Sequence, residues 1–371
     1  MMKVLLVSSN FPPEIGGPAA SIEYISKILE SKGIKNSILT NGTNKKYNDS
    51  KNVVRTKFVK YKKHSLIGAF LRMYYLFFKL IKVGKDFDLF HSQDVNVSGF
   101  PTMLAAKILK KQYIVKFSGD MYIEYQLRKN KTMEYALNSN NLIKSTFNFI
   151  QKIICNNSKI TIATSNYVKN YLLNIGVKEN KITLIPNGVI SQKIDNSIVK
   201  KVKAKYGNNI ICSSCRITKI KGIELLINSA KKLLEYNFVI FGEGKDKEYF
   251  EKLISEKNIK NFFFYGKVSH KKIQSYIKAS KIFVLASYYE PFGIAILDAM
   301  YANKPILVSD AGGMKEIVKN NTGLVFKSGN VQDFIDKISK IRKINLNQQK
   351  VEIKKYYWEN IVNLYQKEYE K

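Results

Sequence analysis

Apolar runs too short to be helices recur along the whole chain, and each is followed by an amphipathic stretch of helical length. A run without a polar side must be buried on both faces, which a parallel sheet covered by helices supplies. In the first half the strand-like runs are Lys3 to Ser8, Asn36 to Thr40, Asp88 to His91, Gln112 to Phe117, Ile160 to Thr164 and Ile182 to Ile185. Helix Ala19 to Ser31 is stopped by Gly33, and Pro186-Asn187-Gly188 marks a turn. Residues 191–205 then become polar and lysine-rich, the composition of a linker. A second series follows, with strands Asn209 to Cys215, Phe238 to Phe241, Asn261 to Tyr265, Ile282 to Leu285 and Pro305 to Ser309. Helices Gly222 to Leu234, Lys247 to Glu256, His270 to Ala279 and Gly293 to Tyr301 alternate with them. The expectation is an α/β protein with two doubly wound domains, residues 1–190 and 206–350, joined by linker 191–205 and facing a central cleft. Ligands of such sheets bind at the carboxyl ends of the strands, so the cleft is the expected active site.

Composition removes several other classes. No apolar run reaches the roughly 18 uncharged residues of a spanning helix, and the stretch before Asn10 is too short for a signal peptide, so a cytoplasmic location is expected. Three cysteines cannot form a disulfide framework. Cys212-Ser-Ser-Cys215 has redox or half-zinc spacing, but the scattered His64, His91 and His270 do not complete a site, so two core cysteines are expected. A net charge of +33, from 62 basic and 29 acidic residues, invites a nucleic-acid or anionic-polymer binder. Only five of the 62 are Arg, however, and planar Arg forks are the usual readers of phosphate and bases. No nucleic-acid partner is expected; such a surface is drawn instead to anionic lipid. Within Ser65 to Val83, Phe70, Tyr74, Phe77 and Phe78 lie on an apolar face bordered by Arg72, Lys79 and Lys82. That pattern fits a helix lying in a membrane interface and equally a helix packed on the first sheet.

The chemistry concentrates at Glu290-Pro291-Phe292-Gly293-Ile294, where a strand gives way to a helix. Unbonded amides at a helix start favour an anion, and Gly293 lets the backbone approach a ligand closely. Asp298 lies a turn further on, so two carboxylates bracket a place for sugar or ribose hydroxyls, which need acceptors. Gly242-Glu243-Gly244 lacks the third glycine of a dinucleotide fingerprint, and no redox cofactor is expected.

Glu290 to Gly313, with Asn303-Lys304-Pro305 and Asp310-Ala311-Gly312-Gly313, resembles the E-x7-E segment of retaining family-4 glycosyltransferases (glycosyl transferases group 1), which adopt the two-domain GT-B fold. Phe11-Pro12-Pro13-Glu14-Ile15-Gly16-Gly17, Ile185-Pro186-Asn187-Gly188-Val189, Arg216 with Lys221-Gly222, Gly242-Glu243-Gly244 and Tyr357-Trp358-Glu359 match that family's other landmarks in order. The resemblance implies that Arg216 and Lys221 grip a nucleoside diphosphate, their fixed charge meeting the leaving group without a metal. It further implies that Gly16 and Gly17 close over the donor, that Gly242 lies beside it, and that Glu290 contacts the donor sugar. The Phe292, Gly293 and Ile294 amides line the same place. It also sends the last segment, residues 351–371, back to the first domain.

Two departures stand out. The second acid of the family's pair is Asp298 here, one carbon shorter than the usual Glu, which leaves the expected ribose contact less reach. The loop that often carries a histidine reads Lys116-Phe117-Ser118-Gly119-Asp120, which leaves Asp120 as the acid for a general base or for ordering the loop. The resulting expectation is a retaining, metal-independent transferase moving a sugar from a nucleoside-diphosphate sugar to a glycan or lipid-linked acceptor. Surface polysaccharide or lipopolysaccharide assembly, peripheral at the inner membrane face, is the setting. A sugar-nucleotide epimerase of the same architecture is the alternative within enzymes.

Overall fold

The computed structural model describes residues 2–13, 17–44, 47–60, 65–129, 133–139, 141–318, 322–341 and 344–371. The chain divides into two compact units, Met1–Pro186 with Trp358–Lys371, and Asn187–Tyr357.

In unit 1 the described residues build a seven-stranded sheet of β1 (Lys3–Ser8), β2 (Lys35–Thr40), β3 (Val53–Arg55), β4 (Leu89–Ser92), β5 (Gln112–Phe117), β6 (Ile160–Ala163) and β7 (Ile182–Leu184). Every pair is parallel, in the order β3-β2-β1-β4-β5-β6-β7. Val4, Leu5, Leu6 and Val7 of β1 are each 0% exposed, so the central strand is covered on both faces, as its unbroken apolar run requires. The order reverses between β1 and β4, and there the loops leaving the carboxyl ends part. Helix Trp358–Glu370 belongs to this unit and packs against helix Gly17–Ser31.

Unit 2 carries a six-stranded parallel sheet among its described residues: β8 (Ile210–Ser214), β9 (Asn237–Phe241), β10 (Phe262–Gly266), β11 (Ile282–Leu285), β12 (Ile306–Ser309) and β13 (Leu324–Phe326). Its order, β10-β9-β8-β11-β12-β13, reverses between β8 and β11. Both sheets are therefore Rossmann-like and doubly wound.

The segment expected as a linker, 191–205, is corrected: most of it is helix Asn196–Tyr206 of unit 2. Ile198, Val199, Val202 and Tyr206 recur at helical spacing and pack into that unit's core, while the intervening lysines face water. The chain instead leaves unit 1 at Pro186, within the Pro186-Asn187-Gly188 turn. Cys212 is buried in β8, whereas Cys215 lies just past the strand and is partly exposed. Burial pushes the Cys212 thiol up to about 12 and raises that of Cys215, so neither favours the thiolate a redox motif needs.

Candidate functional site

In unit 2 the loops that leave β8, β9, β11 and β12 meet at the sheet's reversal point, and local packing explains how. Lys219–Lys221 forms a single 3-10 turn, closed by Gly222 at φ 65°, from which helix Ile223–Ala230 departs. A Cβ on Gly222 would stand 1.9 Å from the Ala286 carbonyl oxygen, so only glycine lets this turn lie against the exit of β11. The Tyr288 amide donates to the Ile220 carbonyl at 2.8 Å and fastens the two loops. Lys221 is thereby brought to Glu290: its Nζ donates to Oε2 at 2.6 Å, with each side chain about a fifth exposed. Glu290 is held from behind as well. The Gly313 amide donates to its carbonyl at 3.0 Å, and Gly312, at φ 67°, passes so close that a Cβ would meet that oxygen at 2.1 Å.

Arg216, two residues beyond β8, is exposed at the same edge. Gly242 follows β9 and packs so tightly on the loop after β8 that a Cβ would reach the Cys215 carbonyl oxygen at 2.0 Å. Phe292 is buried in the core; Gly293, at φ 97°, opens helix Ile294–Tyr301, whose first amides lie beyond the helix's own bonding pattern. The arrangement gathers two cations, one carboxylate and a helix start, a set suited to holding an anion joined to a hydroxyl-bearing group.

Asp298 does not stand open opposite Glu290 as expected. It is 4% exposed because its side of the helix faces Gln274, whose Nε2 donates to Oδ1 at 3.0 Å. Its Oδ2 lies 3.9 Å from His270 Nε2, and burial raises the carboxyl above its ordinary range. Gln274 and His270 are the neighbours that motif reading missed; their one trace was their position at the start of the helix after β10, beside the other strand exits.

Residues 195–357 match the family Glycosyl transferases group 1, and residues 15–193 match Glycosyltransferase Family 4. A curated relative from Campylobacter jejuni, N,N'-diacetylbacillosaminyl-diphospho-undecaprenol alpha-1,3-N-acetylgalactosaminyltransferase, is 30% identical over 77% of this chain and 78% of its own length. The chain belongs to the group 1 glycosyltransferases. Its fold is that of sucrose-phosphate synthase from Thermosynechococcus elongatus (TM-score 0.86, 19% identity, 100% of this chain and 98% of that one). Anabaena HepE in complex with UDP-glucose is similar too (TM-score 0.74, 18% identity, 100% and 99%). Both likenesses place this glycosyltransferase in the GT-B architecture.

In unit 1 of the glycosyltransferase, Glu14, Ile15 and Gly16 lie outside the described residues, and Gly17 opens the first helix. Asp120 is 2% exposed, and its carboxylate caps helix Met121–Arg128, accepting from the Tyr122 amide at 2.7 Å. Burial raises its pKa, and Tyr171 also hydrogen-bonds to it. Through these partners Asp120 ties the loop after β5 to helix Met121–Arg128 and to Tyr171. The Asp-x-Asp spacing at Asp86-Phe87-Asp88 precedes β4, at the amino end of the sheet, where Asp88 accepts from the Lys3 amide at 2.8 Å.

Lys116, 4% exposed, has its Nζ 5.7 Å from the centre of the Trp358 ring, and burial lowers its pKa from 10.5 to about 7. His91 beside it bonds the Tyr369 hydroxyl at 2.6 Å and is pushed from 6.5 down to about 3 by burial and by Lys116. In both cases the unfolded chain holds the proton more tightly, so unit 1 gains stability as pH rises. The Lys116 contribution spans about pH 7 to 10.5 and that of His91 about pH 3 to 6.5. Lys116→Met should therefore raise the melting temperature at pH 7 by about 2–4 °C or more, the shift per kcal/mol for a domain of this size. It should also flatten the profile between pH 7 and 10; calorimetry across that range checks both.

Proposed function

We propose that this glycosyltransferase is a retaining enzyme that takes its sugar from a nucleoside diphosphate and passes it to a hydroxyl of a glycan or lipid-linked acceptor. The Lys221–Glu290 pair at the reversal point of the second sheet, with Arg216 at the same edge, carries the reading. Lys221 and Arg216 would meet the charge that develops on the departing diphosphate, and Glu290 would accept from a hydroxyl of the donor sugar. The Phe292, Gly293 and Ile294 amides stand beside it, and Gly242 borders the nucleotide. Asp298, turned inward to Gln274 and His270, braces the helix that carries these amides. No cofactor is required, and no metal, since the two cations supply the charge.

UDP-glucose in the Anabaena neighbour supports a nucleotide-sugar donor, and the diphospho-undecaprenol in the Campylobacter relative's name supports a lipid-linked acceptor. Surface polysaccharide or lipopolysaccharide assembly at the cytoplasmic face of the membrane is the role consistent with both and with the +33 charge. A thermal-shift panel of UDP, GDP, ADP and their sugars tests the core of the proposal. The matching nucleotide at 100 times its dissociation constant should stabilise the protein by about 2.7 kcal/mol. Binding and transfer should persist in EDTA, and the product should keep the donor's anomeric configuration by NMR. A flat panel would overturn the reading, and loss of transfer in chelator restored by magnesium would overturn the metal-free assignment.

A further inference from the structure

Helix Leu66–Val83 of unit 1 is two-faced in a way its sequence shows only in part. Leu76 and Leu80 are fully buried, and Phe77 and Ile81 pack against the same core. The opposite face leaves Ile67, Phe70, Tyr74 and Phe78 exposed at 61%, 68%, 48% and 52%. These four fall on one stripe at spacings of three and four residues, about 17 Å long at 1.5 Å per residue. Phe77, expected with them, is on the core side. Large apolar side chains so aligned and so exposed are what a folded surface normally avoids.

The surrounding charge indicates what covers the stripe. Between Asp49 and Asp86 the chain holds ten Lys and Arg and no Asp or Glu. Lys57, Lys60 and Lys82 are exposed, Lys79 is half-buried, and Lys57 Nζ stands 6.0 Å from the Tyr75 ring on the same helix. This is a local concentration, beyond the diffuse lysine excess of the whole chain. A second copy would set this basic patch against itself, and a polyanion such as RNA gives four aliphatic and aromatic side chains nothing apolar to enter. An anionic lipid surface satisfies both features, with apolar side chains in the acyl boundary and ammonium groups at the headgroups. No described helix is long and apolar enough to cross a membrane, so this one would lie in its plane.

We infer that Ile67, Phe70, Tyr74 and Phe78, together with Lys57, Lys60, Lys79 and Lys82, form the face on which this protein docks to anionic membrane. The inference rests on the membrane setting proposed above and names its contact surface, but its test involves no nucleotide, so the two can fail separately.

The experiment is co-flotation of the full chain with phosphatidylglycerol-containing and pure phosphatidylcholine vesicles, at 0.1 M and 1 M salt. Binding should require the anionic lipid and weaken as the Debye length shortens from about 10 Å to about 3 Å. The variant Phe70→Ser/Tyr74→Ser/Phe78→Ser keeps the net charge and changes only exposed side chains. It should lose vesicle binding at least tenfold while its melting temperature and circular dichroism stay unchanged. Phe77→Ser, on the packed side, should instead lower the melting temperature and leave vesicle binding of the folded protein in place. Undiminished binding by the triple variant would overturn the docking face, leaving charge alone as the attraction. Equal binding to neutral vesicles, or a dimer in lipid-free sedimentation that the triple variant abolishes, would overturn it as well.

Discussion

Lys221→Ala should lower the rate of sugar transfer roughly ten- to a hundredfold, the consequence, on the proposed mechanism, of losing a charge-assisted contact of about 1.5–3 kcal/mol to the departing diphosphate. The geometry makes this lysine different from the many others in the chain. It is about a fifth exposed, anchored by a turn that only Gly222 permits, and already directed at Glu290 at 2.6 Å. An arriving donor finds the ammonium in place, so little ordering entropy opposes the contact. Arg216→Ala should act in the same direction. Removing Lys221 leaves the Glu290 side chain, only about a fifth exposed, without its ion-pair partner, so the melting temperature should fall as well. Turnover per folded enzyme, measured with the nucleotide sugar chosen from the thermal-shift panel, separates the two effects. Glu290→Gln supplies the complement: it frees Lys221 for phosphate while weakening the grip on the sugar, so nucleotide binding should hold while transfer falls. Unchanged transfer in Lys221→Ala would remove the residue from the mechanism.

How far the chain could be read in advance depended on whether a residue's neighbours were local. Both sheets were legible because a strand buried on both faces has nowhere to place a polar side chain; Val4 to Val7 and Ile282 to Leu285 carry that requirement in consecutive residues. The strand exits were legible for a similar reason, since Gly222, Gly312 and Gly242 mark places where two backbones touch. What escaped was set by distant partners. β3 and β13, three residues each, have too little chain to show a period and exist because an edge was available to pair with. Helix Asn196–Tyr206 hid behind its lysines, its buried Val202 and Tyr206 being too widely spaced to look apolar. Asp120 and Asp298 look alike as carboxylates near strand exits, and only Tyr171 in one case and Gln274 in the other turn them inward. On helix Leu66–Val83 the sequence shows apolar residues nearly all round, and only packing against the first unit's core tells Phe77 from Phe78.

The largest effect on stability should come from Gly222→Ala. Two costs coincide at that position. At φ 65° an L-residue pays about 1–2 kcal/mol for the left-handed conformation. The new Cβ would also stand 1.9 Å from the Ala286 carbonyl oxygen, a backbone atom at the end of β11 that no side-chain rotation can clear. Relief requires the turn to lift off the strand exit, which breaks the hydrogen bond from the Tyr288 N–H to the Ile220 carbonyl and carries Lys221 away from Glu290. The expected loss is about 3 kcal/mol or more, or roughly 6–12 °C in the melting of unit 2. Gly329→Ala is the control within the same unit. It shares the positive φ, at 77°, but its Cβ would meet nothing nearer than the Tyr288 ring at 3.7 Å, so only the conformational cost remains. Equal melting shifts for the two variants would mean that the loop after β8 yields freely, and the account of how Lys221 is held would fail with it. A large shift for Gly222→Ala alone, accompanied at temperatures where the protein stays folded by a transfer defect close to that of Lys221→Ala, would tie the catalytic geometry to one missing methyl group.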